Sequence, residues 1–159
     1  MVGVLALQGD FEKHKRVLDR IGAPNLFVKN EKDLFKTKAL IIPGGESSTL
    51  SLLIDKSLLR DPILKYSKRH SLFGTCAGMI MLSSTKPINN KVKTLNIMDF
   101  SVSRNSWGAQ IFSFEEKIDF KFFNILSFNS IFIRAPKVSE VGKKITKHDF
   151  FKEEIVILE

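Results

Sequence analysis

The chain has 159 residues and a formal net charge of +8, from 25 Lys plus Arg against 17 Asp plus Glu, with 43% apolar and 26% charged residues. That length suits one compact domain able to bury roughly two-thirds of the surface its unfolded form exposes, and no apolar run approaches the ~20 residues needed to span a bilayer. The lysines are scattered from Lys13 to Lys152 without a stripe that alternates basic and aromatic residues, so they read as a solvated surface and not as a nucleic-acid groove.

The chain opens on Val2 to Leu7, a near-continuous apolar run without a basic leader. It reads as a strand covered on both faces and not as a signal peptide. Gln8-Gly9-Asp10 breaks it, and Phe11, Val17, Leu18 and Ile21 follow at helical spacing up to Gly22. Leu26 to Val28 is a second strand, Glu31 to Phe35 a short helical turn, and Ala39 to Ile42 a third strand stopped by Pro43-Gly44-Gly45. Ser48 to Ile54 and Asp61 to Ser67 read as helices, Ser71 to Phe73 as a fourth strand, and Ala77 to Ser83 as the helix after it. Strands alternating with helices imply right-handed crossovers, and hence an α/β fold with a doubly wound, mostly parallel sheet and helices on both faces. From Thr94 onward the rhythm changes to strands with few helices between them: Thr94 to Ser101, Gln110 to Phe114, Ser130 to Arg134 and Glu154 to Leu158. No repeat, low-complexity segment or linker divides the chain. The single cysteine, Cys76, cannot form an internal disulfide, which suits a reducing, cytoplasmic compartment.

The sharpest feature is Gly74-Thr75-Cys76-Ala77-Gly78, a G-x-C-x-G at a strand-to-helix junction. A nucleophile on such a turn sits in a strained backbone conformation, and small neighbours let adjacent strands and helices pass close. The turn aims Cys76 at the positive end of the next helix, which favours thiolate. It also places the Ala77 amide where it can donate to a developing oxyanion. A buried structural cysteine in a glycine-containing turn is the bland alternative. The second feature, Pro43-Gly44-Gly45-Glu46-Ser47-Ser48-Thr49, follows the third strand; its glycines let backbone N–H groups converge on an oxygen. It lacks the lysine of a phosphate-binding P-loop, and a tight turn with Ser47 or Ser48 capping the next helix is the simpler reading. Its position at the carboxyl end of one strand, with Cys76 at the end of another, strengthens a ligand-site reading, because open parallel sheets bind ligands along that edge.

Together with Gln8-Gly9-Asp10, Arg104-Asn105-Ser106-Trp107-Gly108 and Ile133-Arg134-Ala135-Pro136, these segments give the chain a close resemblance to the class I glutamine amidotransferases, in the branch that serves pyridoxal 5′-phosphate synthase. The resemblance runs from Val2 to about Gly142, and implies a three-layer, flavodoxin-like sheet and a single glutaminase domain over 1–159. It further implies that Cys76 attacks the side-chain amide of L-glutamine, giving L-glutamate and ammonia, with Gly45 and Ala77 forming the oxyanion hole. Gly45, Glu46 and Ser47 would line the glutamine site, and Arg104, Ile133 and Arg134 would complete it, a guanidinium fork at Arg104 suiting the α-carboxylate. No metal or cofactor is implied for this subunit. The implied partner is the (β/α)8-barrel synthase subunit, to which ammonia would be channelled for vitamin B6 synthesis.

Two departures stand out. The family completes its site with a late His-Pro-Glu segment, and nothing here matches it. His14 lies in the first helix, His70 precedes the fourth strand at the end opposite Cys76, and His148 sits in the charged run Lys147-His148-Asp149, which reads as a surface loop. The chain is therefore expected to lack the closing strand or helix with its His-x-Glu and, as it stands, to turn over little or no glutamine, since the leaving ammonia also needs a proton donor. A truncated enzyme and a catalytically dead module that binds the synthase are the two readings of this. Secondly, Ala109 stands where many relatives carry arginine.

Overall fold

The computed structural model describes residues 1–84, 91–103 and 113–159, arranged in two compact units, Met1–Ile97 and Met98–Glu159. In the first unit, four short strands form one sheet: β1 (Val2–Leu5), β2 (Asn25–Val28), β3 (Ala39–Ile42) and β4 (Ser71–Gly74). All neighbours pair parallel, in the order β2-β1-β3-β4. Helices α1 (Phe11–Arg20), α2 (Glu31–Leu34), α3 (Ser47–Lys56), α4 (Arg60–Ser67) and α5 (Ala77–Leu82) fill the connections. The expected α/β fold with a central parallel sheet is therefore what forms, with element limits within about three residues of the sequence reading.

Apolar strand residues Val4, Leu5, Leu40 and Ile42 and helix residues Leu50, Ile54, Ile63 and Met81 have essentially no solvent exposure and make the core. Each such side chain contributes roughly 1.5–3 kcal/mol on burial. Tyr66 is buried among them, its hydroxyl 2.8 Å from the Thr37 Oγ1. Asn30 caps α2 by accepting the Asp33 N–H at 3.0 Å. Among the described residues no helix is long and apolar enough to cross a membrane.

Residues 94–97, expected to begin a strand, follow a different path. The Thr94 carbonyl accepts from the Arg60 guanidinium at 3.1 Å, while the Leu95 and Ile97 N–H groups donate to Met81 and Leu82 carbonyls at 2.6 and 3.0 Å. Those bonds tie the segment to Arg60 and to the end of α5 instead of to a neighbouring strand. Arg60 is only 8% exposed and its charge is met by Asp55, so it forms a fixed bracket for this segment.

The second unit is rich in strands, as the change of rhythm implies, and these form antiparallel pairs. Strand β5 (Phe100–Ser103) pairs with β8 (Lys137–Val141), β6 (Phe114–Phe120) with β7 (Ile125–Phe132), and β9 (Lys147–Phe151) with β10 (Glu154–Leu158). Three of the chain's 14 phenylalanines pack together here. Phe114 stacks on Phe132 at 4.7 Å between ring centroids, and Phe132 on Phe151 at 5.5 Å. The run Lys147-His148-Asp149 is part of β9 and not a surface loop. Its Asp149 is 3% exposed, because its carboxylate accepts the N–H groups of Lys121 and Phe122, at 2.9 and 3.2 Å, at the start of a 3-10 turn.

Candidate active site

Strands β3 and β4 end side by side, Ile42 pairing with Gly74, so the loops that leave them start as neighbours. The Thr75 N–H donates to the Ile42 carbonyl at 3.2 Å, carrying the contact one residue past the sheet. A Cβ placed on Gly44 would lie 3.3 Å from the Cys76 Cβ. The glycine loop and the cysteine turn thus face each other at the carboxyl edge of the parallel sheet.

Cys76 has φ 49° and ψ −106°, a conformation that costs an L-residue on the order of 1–3 kcal/mol. The surroundings hold it there. The Gly78 N–H donates to the Thr75 carbonyl at 2.8 Å, and the Ile80 N–H to the Cys76 carbonyl at 3.1 Å. The flanking glycines are required by close approach, as their spacing suggests. A Cβ on Gly74 would stand 2.6 Å from the Gly78 carbonyl carbon, and one on Gly78 would stand 2.0 Å from the Ile42 oxygen.

The amide N–H groups of Gly45 and Ala77 both hydrogen-bond the Cys76 sulfur, which draws its pKa down, yet burial has the larger effect and pushes the thiol up. Taken alone, the turn at the start of α5 favours thiolate. In the structure desolvation outweighs the two amides, because the sulfur is withdrawn from water. Two converging N–H groups can equally serve an oxygen that acquires negative charge beside the sulfur.

Gly45 adopts φ +148°, and a Cβ there would meet the Gln8 side-chain oxygen at 2.5 Å. Gln8 Oε1 accepts the Glu46 N–H at 3.2 Å, while its Nε2 is buried with no hydrogen-bond partner among the described residues. Gln8 thereby lies against the glycine loop, a role that its place just past β1 hints at but that pairwise spacing does not reveal. Glu46, and not Ser47 or Ser48, caps α3: its carboxylate accepts the Thr49 N–H at 2.9 Å and the Ser48 hydroxyl. Ser47, in the first turn of α3, is buried.

A second contact unseen in the sequence comes from α1, where His14 Nε2 lies 3.3 Å from the Thr75 Oγ1. Burial pushes the His14 pKa below its ordinary value, with the Asp10 carboxylate opposing. His70 stacks on Tyr66 at 4.3 Å, and His148 pairs with Glu159 at 3.2 Å. Among the described residues no histidine is hydrogen-bonded to Cys76.

The structure thus brings Gly45, Glu46, Ser47, Cys76 and Ala77 together within the first unit. Ile133 and Arg134 follow β7 in the second unit, both exposed, with Arg134 at φ 44°. Arg104 and Ala109 lie outside the described residues.

A cysteine on a strand-to-helix elbow, under two converging amides at the carboxyl edge of a parallel sheet, defines an α/β protein of the nucleophile-elbow class. A model of the SNO glutamine amidotransferase family matches residues 4–158, and the chain belongs to that family. It is 40% identical over 145 residues to the pyridoxal 5′-phosphate synthase subunit PdxT of Thermosipho africanus, covering 91% of this chain and 76% of that one. It is also 40% identical over 157 residues to the subunit of the same name from Pelotomaculum thermopropionicum, covering 98% and 80%. A crystal structure described as a glutamine amidotransferase superposes with a TM-score of 0.90 at 36% identity, over 99% of this chain and 84% of that one.

Proposed function

We propose that the chain is the glutaminase subunit of a pyridoxal 5′-phosphate synthase. It would hydrolyse L-glutamine in the cytoplasm and hand the ammonia to a (β/α)8-barrel synthase subunit. The observation that carries this reading is the Cys76 sulfur on its strained turn, met by the Gly45 and Ala77 amides, in a chain of glutamine amidotransferase descent.

In this reading the Cys76 thiolate attacks the carbon of the glutamine side-chain amide, and the negative oxygen that forms is held by the Gly45 and Ala77 N–H groups. The C–N bond breaks, the nitrogen leaves as ammonia carrying the proton that the Cys76 thiol gave up, and a γ-glutamyl thioester remains on Cys76. Water then cleaves the thioester, releasing glutamate and returning the thiol. Gly45, Glu46 and Ser47 line the glutamine site, with Arg104 holding the α-carboxylate and Ile133 and Arg134 completing it. The two units act as one glutaminase domain. None of the three histidines is assigned the role of base: His14 is bonded to Thr75, His70 to the Tyr66 ring and His148 to Glu159.

The test is glutamate release from glutamine by the full-length protein with its synthase partner, before and after Cys76→Ala, alongside mass spectrometry after treatment with a diazoketone analogue of glutamine. Loss of release and an adduct on Cys76 are expected. Unchanged release by Cys76→Ala refutes the assignment.

A further inference from the structure

The geometry points to His14 as a positioning residue that acts through Thr75 on the Cys76 elbow; this rests on the reading of Cys76 as the nucleophile. Two observations converge on the start of α1. The Asp10 N–H donates to the Gly44 carbonyl at 3.3 Å, tying the helix start to the glycine loop. One turn on, His14 Nε2 reaches the Thr75 hydroxyl at 3.3 Å, tying the same helix to the cysteine turn. One rigid element therefore touches both of the loops whose amides meet the Cys76 sulfur.

The helix is itself well anchored. Leu18 is buried, and Phe11 packs edge-on against Phe27 of β2 at 5.3 Å between centroids. Thr75 is a sensitive place to hold. Its N–H is bonded to Ile42 of β3, its carbonyl accepts from Gly78 at the start of α5, and its next residue carries the strained φ of 49°. A side-chain tether at Thr75 resists the rotation by which the elbow would relax toward ordinary dihedral angles. Such a rotation would separate the sulfur from the Gly45 and Ala77 N–H groups without disturbing the core. Neutral imidazole suits the task, since Nε2 can accept from the hydroxyl or donate to it, and burial favours that neutral form.

This role differs from that of a base, because the ring is bonded to Thr75 and not to the sulfur. It also separates chemistry from binding: a misplaced elbow slows the step in which charge develops, while glutamine still binds. The effect of the tether should be carried by the pair and not by either residue alone.

The experiment measures glutamine hydrolysis by the full-length protein with its synthase partner for His14→Ala, Thr75→Val, the double variant and His14→Gln. His14→Ala and Thr75→Val are each expected to lower kcat about tenfold with KM within about twofold, the scale of one misplaced hydrogen-bonding group. The double variant should be no slower than the slower single one, and His14→Gln, which retains a nitrogen at similar reach, should recover kcat to within about threefold of wild type. A kcat for His14→Ala within twofold of wild type, or losses that multiply in the double variant, overturns the proposal. If His14→Ala does not fold, Thr75→Val decides, since it keeps the side-chain shape and loses the hydroxyl. Labelling of wild-type Cys76 by the diazoketone separates the two readings. No adduct refutes the nucleophile assignment and this role with it, whereas an adduct alongside unaltered kcat in the variants refutes the positioning role alone.

Discussion

Substituting Gly78 by alanine tests whether the elbow depends on close approach between α5 and β3. The added Cβ would stand 2.0 Å from the Ile42 oxygen and 2.8 Å from its carbonyl carbon, both of them backbone atoms of β3 that cannot swing aside as a side chain can. Relieving that overlap costs about 1–3 kcal/mol as overpacking. The Ile42 carbonyl also accepts the Thr75 N–H, so its displacement weakens a bond worth about 1 kcal/mol. Alanine is favoured over glycine in a helix by about 1 kcal/mol, which offsets part of this. The net loss is about 1–3 kcal/mol, or roughly 3–10 °C in melting temperature for a chain of this size. Thermal unfolding followed by circular dichroism reads it. Gly22→Ala is the control: it has φ +69° with no atom within 4 Å, so it incurs only the strain of the left-handed conformation, about 1–2 kcal/mol, and none of the overlap. Gly78→Ala should additionally slow glutamine hydrolysis at least tenfold, whereas Gly22→Ala should leave the rate unaltered. A Gly78→Ala protein that melts and turns over like wild type would show that α5 stands further from β3 than the 2.0 Å overlap requires.

Three further outcomes are expected. Alkylation of Cys76 by iodoacetamide, in the isolated protein without glutamine, should rise with a midpoint above the ordinary thiol value of 9.0, since burial outweighs the two amides; a rate already at its plateau by pH 7 contradicts this. Asp149→Ala strips the acceptor from two backbone N–H groups and should cost about 1–3 kcal/mol, with Asp149→Asn losing less; equal melting temperatures for all three proteins would remove the capping role. His14, whose folded pKa lies below 6.5, contributes stability that is full above 6.5 and is lost as pH falls through its depressed folded value, because the unfolded chain takes up the proton first. Comparing melting temperatures of wild type and His14→Gln from pH 7 to 5 should show the steeper fall in wild type, and parallel curves would dispose of the linkage.

Local patterns in the sequence determined the parallel half of the molecule and its reactive turn. Runs such as Ala39–Ile42 are apolar throughout because both faces are covered, and Gly-x-Cys-x-Gly marks a bend that larger residues could not make, so both are legible from neighbours along the chain. The change from alternating helices to strands was equally visible, although the first of those strands begins at Phe100 and not at Thr94. Tertiary structure decided what depends on residues far apart in sequence. His14 and Thr75, 61 positions apart, meet only because α1 packs beside the sheet edge, and Gln8 reaches Glu46 only because β1 lies next to β3. Asp149 looked like part of a solvated run until two backbone N–H groups from a distant turn drew it inside. The balance at Cys76 belongs to the same group, since desolvation is a property of everything around the sulfur and has no counterpart in the order of residues.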